Sequence, residues 1–569
     1  MTGHDLGGGE IAMGIDAVRV PAYGGEPVVI VGNGPVGQTL ALLLARWGIG
    51  SVVLDRRPER DLVGSKAICQ HGDVLDIWDT VGAGRAIADE GTTWARARTF
   101  YRDRELFCLE LADRGRSAFP PFVNISQCRT EELLDEQVAG TDLVDVRWGH
   151  AVTGVHETAD GVEVDVTTPV GESTLRAPYA VLCTGGHSER LRADLGVEFG
   201  GRSFDDHFLI CDIRAELPGW EQERRFYFDP AWNPGRQVLI HPCPDSTYRI
   251  DWQVPAEFDL AAEERTGALE QRIRRIVGDV DYEILWRSVY RFHSRSADRM
   301  RVGRVLLAGD AAHLMAPFGA RGLNSGVGDA DNAAWKLAFV LRGWAPDRLL
   351  DSYDVERLAA AQENLAVTTA TMDFLVPQSD PAWAHRRETL ERAVRDPAAQ
   401  PLVDSGRLFE PYWYVDSPLT TPDPTREPAS RPPRGHLPPP GVGVLLPDLP
   451  VADPETGAPT RLRTLCRRGL TVLVADGGTL SLGGDPLSLR DRADAAPVRV
   501  HAMSALVADR DAADSLATSL GARPGEAWVV RPDAFVAAVV DVSHSAAPSA
   551  APSAAVGAAL SRALSHARA

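Results

Sequence analysis

The residues best suited to chemistry lie in two glycine-dense stretches far apart in the chain. The first, Gly32-Asn33-Gly34-Pro35-Val36-Gly37, is a G-x-G-x-x-G. It follows an apolar run, VVIV (28–31), and opens an apolar-periodic segment that reaches Trp47; SVVLD (51–55) then ends on Asp55. Strand, tight turn, helix and second strand in that order form a dinucleotide-binding unit. Gly32 permits the turn, Gly34 lets main chain approach a pyrophosphate, Gly37 lets the helix pack on the strand, and Asp55 can hold a ribose hydroxyl. The helix N-terminus adds unpaired N–H groups and the positive end of a dipole. Outside that context the motif would be no more than a Gly-rich turn.

The second stretch is GDAAHLMAPFGARGLNSGVGDADNAAWKL (309–337). VGRVLLAGD (302–310) reads as a buried strand, so Asp310 sits at a carboxyl end, where ligands of α/β sheets bind. An acid there can accept hydrogen bonds from a polyol. Gly319, Gly322 and Gly326 let main chain lie against a flat or extended ligand. A helix opens near Asn324 and continues to about Arg342. His313 sits inside the loop, with bracing and catalysis equally open to it.

The elements that position these loops follow from periodicity. Residues 130–139 read as a helix, and 144–183 as alternating strands with a turn at Asp160-Gly161. FLICDIRAEL, RRFYFD, RQVLIHP and TYRIDWQVP, within 201–296, alternate at period two; they predict a largely antiparallel sheet with one face covered and one wet. More helix is expected over 350–375 and 385–397. Residues 417–442 are a Pro-rich linker, 443–543 a small α/β module, and 544–569 an Ala/Ser-rich tail, disordered or one weak helix.

A net charge of -20 disfavours nucleic acid and anionic membranes as partners, since both need clustered Lys and Arg. The seven cysteines are scattered and form no C-x-x-C, so reduced thiols are expected rather than a disulfide framework or a metal site. MTGHDLGGGEIAMG lacks the basic and apolar regions of a signal peptide, and no run is apolar enough to span a bilayer. The expectation is a cytoplasmic protein with a small-molecule ligand; assembly into a homo-oligomer is left open.

With both motifs in one chain, residues 26–543 resemble the group A FAD-dependent aromatic hydroxylases, of the p-hydroxybenzoate hydroxylase-like fold. The nearer branch is the phenol and 3-(3-hydroxyphenyl)propionate hydroxylase type. GDAAHLMAPFGARGLNSG is similar to that family's second FAD motif, and DADNAAWKL to its continuation. The resemblance implies an α/β fold: a discontinuous Rossmann-like FAD-binding domain (26–200 and 297–416), an inserted, mainly antiparallel substrate sheet (201–296), and a thioredoxin-like α/β domain (443–543) without a C-x-x-C. It implies that Gly32, Gly34, Gly37, Asp55, Arg56, Lys66, Gln127, Asp310, Gly322, Leu323 and Asn324 hold FAD. Asp310 would bind the ribityl chain, Pro317 would lie beside the reactive edge of the ring, and the main chain at 322–324 would face its N1–O2 side. Asp55 stands where glutamate is commoner, Lys66 where arginine is usual, and Arg321 where glutamine is frequent. The family's C-D-G-x-x-S reads Cys183-Thr184-Gly185-Gly186-His187-Ser188 here, so Thr184 keeps a hydroxyl where the acid carried a charge.

The chemistry implied is monooxygenation. NADPH or NADH reduces the flavin and leaves, O2 adds at flavin C4a, and the hydroperoxide transfers OH to an electron-rich phenol or hydroxypyridine-type ring, a secondary metabolite among the candidates. A phenol needs a base; His207, His241, His293, Tyr227, Tyr248 and Tyr290 in the covering sheet are candidates, with Tyr227, His241 and Tyr290 the substrate-contact set. Two alternatives stay open: Baeyer–Villiger insertion on a polycyclic ketone, and a flavin-binding assembly protein without turnover. A flavin halogenase is disfavoured because W-x-W-x-I-P is missing from the sequence.

Overall fold

Strands without a polar face must be covered on both sides, and this dictates the first layer. Val28–Val31, Ser51–Asp55, Ala180–Leu182 and Val305–Leu307 are buried throughout and pair in parallel. Val144–Trp148 and the antiparallel edge strand Arg301–Val302 complete a six-stranded sheet. The fold is given by a computed structural model, which describes residues 18, 20, 23–62, 67–111, 117–423, 425–426, 439–476, 496–507, 516–543 and 551–565. Lys66 and half of the Pro-rich linker lie outside them. The run 302–310 is not one strand: it turns after Val302, pairs over 305–307, and closes in a 3-10 turn, Gly309–Ala311.

The loops after Val31, Asp55, Leu182 and Leu307 leave the parallel sheet at the same, carboxyl end. Gly32 takes a positive φ of 110°, and a side chain there would strike the Cys183 carbonyl. Gly37 lets its helix, Pro35–Arg46, descend onto the Gly32 carbonyl, with Ile30 next to it. The helix Gly322–Leu341 packs against Pro35–Arg46, and a Cβ on Gly326 would come within 2.7 Å of Val36.

The second layer is an eight-stranded sheet. Its core strands Phe199–Ala215, Glu223–Phe228, Gln237–Cys243, Thr247–Val254 and Tyr282–Ala297 are antiparallel, as the alternation predicts. Three features depart from expectation. Arg96–Tyr101 joins in parallel to Glu223–Phe228 and brings Arg104–Glu110 with it, so the sheet recruits chain from well before 201. At the other edge His313–Leu314, from the second glycine stretch, pairs with Arg295–Ser296. The face expected to be wet is covered over its central strands: residues 260–277 form two helices, and Leu269, Ile273 and Val277 of the second pack with Leu209, Ile213, Ile250 and Trp252, while Arg287 and Arg291 stay exposed. The opposite face looks toward the parallel sheet.

Helices Asp351–Leu375 and Asp380–Arg395 follow; the second starts at Asp380 because Ser379 caps Ala382. The C-terminal module is a four-stranded sheet ordered Val498–Ala502, Leu470–Val474, Glu526–Val530, Val536–Asp541, with the first pair parallel and the others antiparallel. Helix Ala551–Ala563 buries Val556, Ala559 and Ala563. Among the described residues, no helix is long and apolar enough to cross a membrane.

Candidate active site

A cavity of about 1300 Å³ opens at the carboxyl ends of the parallel strands and extends to the inner face of the eight-stranded sheet. Two helices point their N-termini at it. Neither the cap residue of Pro35–Arg46, Gly34, nor that of Gly322–Leu341, Arg321, closes its helix with a side-chain hydrogen bond. The first-turn N–H groups are therefore unsatisfied by capping and sit at the positive ends of two dipoles. At Gly34 and Gly322 an added Cβ would meet nothing within 4 Å, so both line the cavity with bare main chain. This cradle fits a ligand with a pyrophosphate at one end and a ring that takes negative charge at the other, as FAD has.

Asp55 is buried and committed. Its carboxylate accepts from the Asn33 amide at 2.9 Å, from the Arg57 amide at 2.9 Å, and from the Arg57 guanidinium at 3.0 Å. Burial pushes its carboxyl up, but these hydrogen bonds and the Arg57 charge hold it below the usual range. Arg57 and Arg60 also donate to the Asn33 carbonyl, at 3.3 and 3.2 Å, so both brace the first glycine loop. Arg60 bonds Glu131 and Asp135 of the helix Gln127–Ala139. Neither arginine is in the set read from sequence; RRPERD directly after the strand was the available signal. Arg56 and Gln127 line the cavity, and Gln127 accepts from the Ala67 amide at 3.1 Å.

The second glycine stretch is built around Asp329, also absent from the sequence set. This fully buried carboxylate accepts from the Gly309 amide (2.9 Å), His313 Nε2 (2.8 Å) and Arg357 Nε (2.6 Å). His313 is therefore a brace: it is fully buried, bonded to Asp329, and does not line the cavity. Asp310, next in the chain after Gly309, is exposed toward the cavity. Pro317, Phe318 and Leu323 line it too. Asn324 contributes main chain only, since its side chain accepts from the His71 amide and donates to the Cys69 and Ala320 carbonyls. Thr184 lines the cavity with its hydroxyl bonded to that of Ser188.

At the sheet end, strand parity sorts the expected substrate contacts. His241 and Tyr290 line the cavity. Tyr227 does not: it pairs with Val238 on the other face, stacks on Phe100 at 4.6 Å and packs with the helix-covered core. His293 lines the cavity with Nδ1 2.8 Å from Ser203 Oγ; Ile210, Leu239 and Phe318 give the wall an apolar part, and Arg224, Arg249, Asp251, Arg291 and Arg295 a charged one, with Phe318 backed by Phe208 and Phe226.

A family model described as "FAD binding domain" matches residues 26–368. A 3-(3-hydroxy-phenyl)propionate/3-hydroxycinnamic acid hydroxylase of Mycobacterium sp. (strain JLS) is 31% identical over 405 residues, covering 68% of each chain. The chain belongs to the FAD-dependent aromatic hydroxylase family. An anhydrotetracycline monooxygenase of Streptomyces rimosus is 34% identical over 383 residues, 65% of this chain and 73% of that one. The alignments to the hydroxyphenylpropionate hydroxylases span about two thirds of their length, 65% for the Mycolicibacterium smegmatis protein. Among solved structures, the flavin-dependent monooxygenase PieE, in complex with FAD and substrate, shares the fold at a TM-score of 0.80, with 23% identity, 95% of this chain and 99% of that one covered.

Proposed function

We propose that this protein is an NAD(P)H-consuming monooxygenase that hydroxylates an electron-rich aromatic ring of phenol type. The observation that carries the reading is the single cavity joining two uncapped helix N-termini to a wall of aromatic and titratable side chains. FAD, when bound and reduced, supplies an activated oxygen atom from O2. The glycine loop at 32–37, braced by Asp55 and Arg57, would hold its pyrophosphate. Asp310 would accept from its ribityl hydroxyls, and the main chain at Gly322–Asn324 would stabilise negative charge on the ring. Pro317 and Phe318 would separate the ring from the sheet and keep water out. The chain has one complete G-x-G-x-x-G, so the nicotinamide nucleotide is read as a visitor without its own Rossmann unit.

The division into an FAD-binding part, a substrate sheet and a C-terminal module is part of the same proposal, with 96–110 added to the sheet. The test is NADH and NADPH oxidation by the FAD-loaded protein with and without a panel of phenols and polycyclic phenols, with NMR of the product. Stimulated oxidation with hydroxylated product supports the reading. A ring-inserted oxygen would indicate Baeyer–Villiger chemistry. FAD retention without stimulation by any phenol would indicate a binding protein.

A further inference from the structure

The inner face of the eight-stranded sheet carries charge where it lines the cavity. Register puts Asp212 opposite Arg249, Asp251 opposite both Ile210 and Leu239, and His241 opposite Arg249. Arg224, one step before the Arg225–Ile240 pair, falls beside His241. Period two sends all five side chains to the same face, and all but Asp212 line the cavity. Arg249 is engaged by both Asp212 oxygens, at 2.8 and 3.0 Å, and Arg224 donates to the Ser405 carbonyl at 3.0 Å. Asp251 and His241 differ. Neither side chain has a hydrogen-bond partner among the described residues, and Asp251 Oδ1 and His241 Nδ1 are buried atoms. A buried polar atom with no partner in the chain takes one from water or from a ligand, and these two residues line the cavity where a ligand can supply it.

Resting on the proposed hydroxylase reading, we propose that Asp251 and His241 bind an acidic hydroxyl of the aromatic substrate and that Asp251 is the base that takes its proton. The O–H bond of the phenol breaks, the proton goes to an Asp251 oxygen, and the electron pair stays on the phenolate oxygen. With Asp251 ionised, two arginines and two aspartates balance; after transfer the phenolate replaces the Asp251 charge and the balance is unchanged. The patch thus moves a charge by one bond without creating one, which is the cheapest way to ionise a phenol in a buried site. Burial pushes Asp251 up to about 7, Asp212 adding to the shift and Arg249 and Arg224 opposing it. Burial, with the same two arginines, pushes His241 well below its ordinary range, so it faces the substrate as a neutral imidazole. The Cys243 thiol of the same face is pushed up to about 12 by burial and stays neutral.

The test counts protons on binding of 4-nitrophenol, whose ionised form absorbs visible light and whose neutral form does not. Above the pH at which both Asp251 and the dye are ionised, binding to the FAD-loaded protein must take up one proton. The dissociation constant should then rise about tenfold per pH unit. Asp251→Asn should abolish that slope, and Asp251→Glu should restore it. His241→Leu should keep the slope and weaken binding at every pH. Flavin fluorescence titration should give an unchanged FAD affinity in all three variants. Equal slopes in wild type and Asp251→Asn, or no dye binding by the FAD-loaded wild type, would overturn the proposal. Failure to take up FAD at all would sink the hydroxylase reading and, with it, the proposal that rests on it.

Discussion

Replacing Asp329 with alanine should loosen the second glycine loop without replacing a residue that lines the cavity. Three donors converge on this carboxylate: the Gly309 amide, His313 and Arg357. Arg357 keeps its bonds to the Tyr414 hydroxyl at 2.8 Å and the Ser325 carbonyl at 3.0 Å, but its charge is left buried and uncompensated. Breaking a buried pair from one side costs about 3–5 kcal/mol. The amide of the buried Gly309, left without its acceptor, adds about 1–3 kcal/mol, although neighbouring losses do not sum. We expect about 4 kcal/mol less resistance to urea. We also expect FAD to bind at least about tenfold more weakly, since Gly309 precedes Asp310 and a tenfold change is only about 1.4 kcal/mol. Burial alone would push Asp329 up, yet Arg357, His313 and the Gly309 amide hold it below the ordinary carboxylate value. A depressed folded value means that its stabilisation is complete above the unfolded value of about 3.9 and disappears as pH falls. The wild-type advantage should therefore be constant from about pH 6 upward and shrink on acidification. Urea unfolding followed by tryptophan fluorescence, together with FAD titration, measures both effects. A deficit under about 1 kcal/mol with unchanged FAD affinity would refute the argument that this carboxylate holds the loop.

Gly326→Ala places a methyl 2.7 Å from Val36 and 3.2 Å from Gly309, so the two glycine loops must separate; about 1–3 kcal/mol of overpacking should appear as weaker FAD binding, and Val36→Ala should restore it. Asp310→Ala should purify with little or no flavin absorbance, whereas His313→Gln should retain FAD binding but lose stability to urea. Glu356 accepts from Lys336 at 2.7 Å and from Arg531 at 2.5 and 3.0 Å, with all three side chains buried, so Glu356→Ala should destabilise by about 3–5 kcal/mol. Lys336→Met in that background should recover part of the loss by removing one of the stranded cations, as thermal unfolding would show.

Three strands of the first layer, at 28–31, 51–55 and 305–307, were legible because they are buried on both faces and read as apolar runs, and because Gly32, Gly37 and Asp55 stand where their turn, packing and strand-end roles require; Val144–Trp148 and Ala180–Leu182 sat inside a region that alternates. What sequence could not give was pairing across distance. Arg96–Tyr101 alternates like a strand, but nothing local says that its neighbour is Glu223–Phe228 or that the pairing is parallel. The helices at 260–277 had local signals, Asp259 capping Ala262 at 3.1 Å and Gly267 at a φ of 73°, which the surrounding alternation obscured. For His313 bracing and catalysis both stayed open because its partner, Asp329, lies sixteen residues on, inside the helix Gly322–Leu341. Tyr227 and His241 could have been sorted by parity once Arg225 and Ile240 were known to face each other; without that register both were open.

The short pairing of His313–Leu314 with Arg295–Ser296 stitches the cofactor loop to the wall that would touch substrate. The two surfaces between which a reaction would occur are thus one continuous piece of hydrogen-bonded main chain. They cannot part along this seam without breaking ladder bonds. Any breathing that lets a bulky guest in or out must occur elsewhere on the rim, and a guest that tilts the sheet will tug directly on the loop beside the ring.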